Sequence, residues 1–123
     1  MSENIVIKTG DLKINAQLND SKTAKMIYDK LPIEGRVRLW AEEIYFEIPV
    51  KLGEENAQEV VEKGDIGYWP PGRAFCLFFG LTPVSKGEEI RPASPVNVFG
   101  KIVGNLIILK KIENGTEVNI ERV

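Results

Sequence analysis

The segment Gly64–Gly80, reading GDIGYWPPGRAFCLFFG, restricts the possible folds of this chain more than any other. It holds five of the ten aromatic residues, the single cysteine and a Pro70-Pro71-Gly72 corner followed at once by Arg73. Two prolines each fix φ, and a glycine permits positive φ, so the corner reverses the chain at low entropic cost. The flanking runs Ile66–Trp69 and Arg73–Phe79 are rich in β-forming residues and are predicted to be strands. Along Arg73–Phe79 the side chains alternate, placing Phe75, Leu77 and Phe79 on one face and Ala74, Cys76 and Phe78 on the other. One set must be core. The other lines a groove or lies beneath a helix, and the alternation alone leaves that choice open.

The rest of the chain carries the same period. Asn4–Lys8 and Leu12–Leu18 alternate apolar and polar residues around Thr9-Gly10-Asp11, as a half-buried hairpin does. Asp20 is read as a helix N-cap, with Ala24, Ile27, Tyr28 and Leu31 spaced as one helical face, so Ser21–Lys30 is predicted helical and Pro32 ends it. Val37–Trp40 and Ile44–Val50 read as strands. Lys51–Lys63 reads as a solvated loop with a short strand near Val60-Val61, and Thr82–Pro95 as a second long loop. Val96–Val103 reads as a strand, Asn105–Ile112 as a short buried helix capped by Asn105, and Glu117–Val123 as a closing strand. About eight strands and two helices at this spacing point to one domain, residues 1–123, built as a sandwich or barrel.

Several kinds of chemistry are excluded. The chain has no histidine and one cysteine, which removes Ser-His and Cys-His nucleophiles, His-ligated metals and an imidazole acid/base. The expectation is a protein with no metal and no cofactor. The net charge of −2 is spread along the chain without a basic stripe, which argues against nucleic acid and anionic membrane as partners. The opening residues carry no basic run followed by an apolar one, and a lone cysteine suits a reducing compartment, so the expected location is cytoplasmic.

The order of elements resembles the cyclophilins. Gly64-Asp65-Ile66 stands where that family has a G-x-L strand, Gly72-Arg73-Ala74-Phe75 is similar to its G-S-Q-F strand entry, and Val98-Phe99-Gly100-Lys101-Ile102 is similar to its V-F-G-K-V. With the Tyr68-Trp69-Pro70-Pro71-Gly72 corner, the chain is similar to the small prokaryotic cyclophilin-like proteins. The resemblance implies a closed eight-stranded antiparallel β-barrel capped by two short helices. It also implies a peptidyl-prolyl isomerase ancestry, and there this chain departs from the family. The family's catalytic arginine lies on the strand before an Ile-Pro, whereas Ile48-Pro49 follows Tyr45, Phe46 and Glu47. The loop before Phe99-Gly100-Lys101 lacks the family's tryptophan and histidine, and Ala74 replaces its glutamine.

Candidate site residues follow from the corner and the acidic strand. Trp69, fixed beside Pro70, offers a rigid aromatic surface suited to proline or another apolar ring. Tyr68 is the alternative from the opposite face, and Cys76 and Phe78 belong to the outer face of the following strand. Arg73 and Arg91 are candidate anchors for a carboxylate or carbonyl. Glu42, Glu43, Glu47 and Tyr45 are weak candidates for acid/base work. The reading is a cyclophilin-fold protein that binds a proline-containing peptide or a small apolar ligand in an aromatic groove, with self-association open. The alternatives are a low-activity isomerase lacking the arginine, or an enzyme of unrelated chemistry using groove carboxylates.

Overall fold

The computed structural model describes residues 3–123. Nine strands form one antiparallel sheet: β1 (Asn4–Thr9), β2 (Leu12–Leu18), β3 (Ile33–Arg36), β4 (Arg38–Trp40), β5 (Glu43–Glu47), β6 (Asp65–Trp69), β7 (Ala74–Phe78), β8 (Asn97–Val103) and β9 (Glu117–Arg122). They lie in the order β3-β9-β1-β2-β8-β6-β7-β5-β4. The sheet curls until β3 meets β5, where a Cβ added at Gly35 would lie 3.0 Å from Phe46. The barrel is therefore nearly closed and has nine strands where eight were expected. The extra strand is β3, which precedes the predicted Val37–Trp40 segment at residues where no strand was expected. Residues 33–36 pair with β9, and 38–40 fold back on β5. Long-range pairing makes that division, and no local pattern announces it.

The inward faces are apolar, as the alternation predicted. Phe75, Leu77 and Phe79 belong to the barrel core with Ile66, Tyr68 and Phe46. Phe75 stacks on Phe46 at 5.1 Å between ring centroids and meets Phe99 edge-on at 5.2 Å. Such pairs add to the burial of the rings themselves. Tyr68 is fully buried here. Its hydroxyl donates to the Val50 carbonyl at 2.6 Å and accepts from the Leu52 N–H at 3.1 Å, tying the segment after β5 to the barrel. Tyr68 is thus a core residue and is not brought to any groove.

One helix, α1 (Lys22–Lys30), turns Thr23, Ala24 and Ile27 inward. Ser21, not Asp20, is its N-cap: the Ser21 hydroxyl accepts from the Ala24 N–H at 3.1 Å. The adjacent polar residues are both good caps by type, and Ser21 takes the position because Asn19 accepts from its own N–H at 3.0 Å. Two further free N–H groups of the first turn, on Lys22 and Thr23, donate to the Glu55 carboxylate at 3.0 and 2.8 Å. The Thr23 hydroxyl, which donates to the same carboxylate at 2.7 Å, is the largest of the influences that hold the Glu55 carboxyl below its usual range, and these two N–H bonds follow it. Asn97 on β8 accepts from the Glu55 N–H at 2.8 Å and donates to the Gly53 carbonyl at 2.9 Å, so the loop after β5 is fastened to helix and sheet together. The predicted second helix exists as a 3₁₀ turn, Leu106–Lys111, capped by Asn105.

The long loops carry no strand of their own. Two isolated bridges, Gln58 with Val96 and Val61 with Ile90, tie the two loops to each other. Val61, Ile90 and Val96 thereby close a second, smaller apolar cluster over Ala74, Cys76 and Phe78. The outer face of β7 is covered by loop, not by a helix.

Candidate functional site

The outer face of β4–β7 is built by the same alternation that fills the barrel. Register places Trp40 opposite Glu43, Tyr45 opposite Cys76, Gly67 opposite Cys76, and Trp69 opposite Ala74. Ala41 and Glu42 form the two-residue turn between β4 and β5, with Ala41 at a φ of 52°. Large residues at the ends of this face and small ones in its middle leave a hollow. A Cβ at Gly67 would stand 2.9 Å from Val96 Cγ2, so only glycine lets Val96 settle there.

The result is a pocket of about 150 Å³ lined by Trp40, Glu43, Tyr45, Trp69, Pro92, Ala93 and Val96. Buried Glu43, Pro92 and Val96 make its floor, half-buried Trp40, Tyr45 and Trp69 its walls, and exposed Ala93 its rim. The Pro92–Val96 side is braced. Thr82 Oγ1 donates to the Arg91 carbonyl, and the Ser85 hydroxyl accepts from the N–H groups of Thr82 at 3.0 Å and Arg91 at 3.2 Å. The Trp69 ring N–H donates to the Ser94 hydroxyl at 2.6 Å, which joins the two walls.

The corner works differently from its expectation. Pro70–Gly72 is a 3₁₀ turn, and the left-handed residue is Arg73, with a φ of 48°. Gly72 is needed for closeness instead: a Cβ there would lie 2.6 Å from two atoms of the Trp69 six-membered ring. The indole rests on the bare glycine, which sets its tilt into the pocket.

Glu43 is the chemically unusual residue. Its side chain is 6% exposed, and Oε1 is the one fully buried side-chain oxygen or nitrogen without a hydrogen-bond partner among the described residues. Burial pushes its carboxyl up to about 7 from a usual 4.5, because the charged form loses water and gains only a thiol beside it. The Cys76 thiol beside it acts in the opposite direction and more weakly. A thiol is a poor donor, and by geometry this one points to the Ala74 carbonyl at 3.9 Å. Burial, followed by the charge of Glu43, raises the Cys76 thiol well above its usual range, so it stays protonated and inert.

The candidates from sequence divide as follows. Trp69 and Tyr45 reach the pocket. Cys76 lies beneath it, and Phe78 is fully buried under the loop cluster. Pro70 is half-buried in the corner, outside the pocket lining. Arg73 extends outward and pairs loosely with Glu47 at 3.4 Å. Arg91 is held by Glu89 at 3.0 Å, and Glu42 faces Lys110 at 3.5 Å. Glu43, among the weak acid/base candidates, is the acid that the pocket holds, and Trp40, which the sequence did not single out, completes the aromatic wall. The signal for both was the alternation: Trp40, Glu43 and Tyr45 share one face once a two-residue turn is placed between β4 and β5. Among the described residues, no three of Cys, Asp and Glu are grouped so as to hold a metal ion.

Comparison with known proteins agrees with this architecture. No curated protein matches the chain. The solution structure of the hypothetical protein AF2241 from Archaeoglobus fulgidus is similar over 99% of this chain and 95% of its own, with 40% identity and a TM-score of 0.84. The structure of McbB in complex with tryptophan shares the fold at 13% identity, over 96% of this chain and 44% of its own, with a TM-score of 0.74. The sequence itself matches the family described as Cyclophilin-like over residues 3–121. Barrel order, the Tyr-Trp-Pro-Pro-Gly corner and this match agree, and the chain belongs to the cyclophilin-like family.

Proposed function

We propose that this protein binds a small apolar ring, that of a free ligand or of a proline in a peptide, in the outer-face pocket between Trp40, Tyr45 and Trp69. The observation that carries this reading is a pocket of about 150 Å³, walled by three half-buried aromatic side chains that already sit in place. A cavity of roughly that size takes one benzene-sized ring. Walls that are already set lose little conformational entropy on binding. Four larger clefts, beside α1, along Val60–Lys63, over Glu34–Arg36 and between Thr9–Leu12 and Lys111–Glu113, contain no buried unpartnered polar group to orient a ligand.

Isomerase activity is a poorer fit. Arg73 and Arg91 are engaged by Glu47 and Glu89, and neither lines the pocket. Losing one preorganised donor to a transition state costs about 10²–10³ in rate in other enzymes.

Titration with benzyl alcohol and with a proline-containing peptide, followed by tryptophan fluorescence and by the indole N–H signals in NMR, tests the reading. At least one of the two probes is expected to perturb Trp69, with binding lost in Trp69→Ala. Unchanged affinity in Trp69→Ala removes the pocket from consideration.

A further inference from the structure

We propose that the ligand of this pocket is a protonated primary or secondary amine carrying a small apolar ring, with its ammonium donating to Glu43 and its ring held by Trp40, Tyr45 and Trp69. The inference rests on the pocket reading above and adds to it the chemical class of the occupant.

The floor supplies the first argument. An ionised carboxylate only accepts hydrogen bonds, so the missing partner of Oε1 must be a donor. Among the described residues only the Cys76 thiol stands beside it, a weak donor that points to the Ala74 carbonyl. Of the titratable groups on the surrounding elements, Arg38 on β4 forms no ion pair among the described residues, and Tyr45 and Glu47 share β5 with Glu43. Asp65 on β6 faces Lys101 at 3.9 Å, Cys76 on β7 is a neutral thiol, Glu42 faces Lys110, and Arg91 is taken by Glu89. No cation among the described residues neutralises Glu43, and a ligand that brings its own positive charge removes the deficit. An anionic ligand would be repelled from the same floor.

The walls supply the second argument. Two indoles and a phenol surround the space above the carboxyl, and aromatic faces attract ammonium groups. The Trp69 ring N–H is already engaged by Ser94, which leaves its π face as what it can offer. Aromatic walls alone would suit a quaternary ammonium equally well. An unpartnered oxygen requires an N–H, and therefore favours a primary or secondary amine.

Proton linkage gives a further signature. With its carboxyl pushed up to about 7, Glu43 is mostly neutral in mild acid and charged in mild base. Amine binding should therefore strengthen as pH rises through that range, while a neutral ring should bind equally on both sides.

The experiment compares benzylamine, benzyl alcohol and benzyltrimethylammonium by calorimetry and by the indole N–H signals, at about pH 5.5 and about pH 8, in the full chain and in Glu43→Gln. Benzylamine is expected to bind at least about tenfold more tightly than either analogue at the higher pH, equivalent to about 1.4 kcal/mol. That margin is expected to vanish at the lower pH and in Glu43→Gln. The wild-type pH comparison requires no variant to fold. If all three probes bind alike, or if Glu43→Gln keeps the preference, the amine assignment is overturned while the pocket stands. If none of the three perturbs Trp40 or Trp69 at millimolar concentration, this assignment and the pocket reading fall together.

Discussion

The two faces of β5, β6 and β7 are made from alternate residues of the same strands, yet they are built on opposite terms. Inside, Phe46, Ile66, Tyr68, Phe75 and Leu77 fill the barrel, and the one polar group among them, the Tyr68 hydroxyl, is bonded on both its donor and acceptor sides. Outside, Gly67, Ala74 and Cys76 are small, the aromatics stand at the margins, and a buried carboxyl oxygen has no partner. Interior positions are chosen for volume and satisfied polarity, and the exterior positions violate both rules. A sequence that tolerates such a violation at one place concentrates it where a ligand can relieve it.

The contrast can be broken most sharply from inside. Phe75→Ala removes the ring that touches both Phe46 and Phe99 and should cost about 3–5 kcal/mol in chemical denaturation. A loss below about 1 kcal/mol would mean that the inner face is not the main source of stability.

The outer face should show the opposite sign. A carboxyl raised from 4.5 to about 7 is protonated in the folded chain over a range where the unfolded chain has already ionised. The folded state then binds more protons, so stability falls as pH rises from about 4.5 to about 7 and levels off above. Glu43→Gln removes that dependence. At pH 8 it should be more stable than the natural chain by on the order of 2–3 kcal/mol, read from denaturation midpoints. A destabilised Glu43→Gln would show that the carboxylate has a partner in the free protein.

Gly72→Ala sharpens the comparison at the corner. A methyl group 2.6 Å from the Trp69 ring must displace it, at a cost of about 1–3 kcal/mol, with a shift in tryptophan emission. An unaltered emission spectrum would show that the indole is not seated on Gly72. The smallest effect is expected at Arg73. Glycine relieves its left-handed backbone, while the exposed Glu47 pair contributes little, so Arg73→Gly should change stability by less than about 1 kcal/mol. A larger loss would give the Glu47 pair a weight that its exposure does not suggest.

Much of the barrel was legible because its signals are local. The β1–β2 hairpin, the faces of β7, the Asn105-capped turn and the strand–corner–strand unit are periodic patterns or single-residue cap and turn chemistry. What stayed hidden depends on residues distant in sequence. The split between β3 and β4 is made by β9 and β5. Glu43 reads as an ordinary acid beside a turn until Pro92–Val96 folds over it, and that placement is set by bridges to Gln58 and Val61. The choice between Tyr68 and Trp69 had a local answer only in part, since alternation separates them without saying which faces inward. The corner misled for a different reason: Gly72 is required by a neighbouring ring, and the unusual backbone passes to Arg73.

The Pro92–Ser94 wall has a consequence for how this protein can change. It is loop, anchored at both ends by the Thr82 and Ser85 bonds and by the bridge at Val96, and it shares no ladder with the barrel strands beneath it. Substitutions at the exposed Ala93 can therefore narrow or lengthen the mouth without touching the scaffold. On the proposed reading, a change at the rim would alter the size of guest admitted, while Glu43 on its strand would still set the charge.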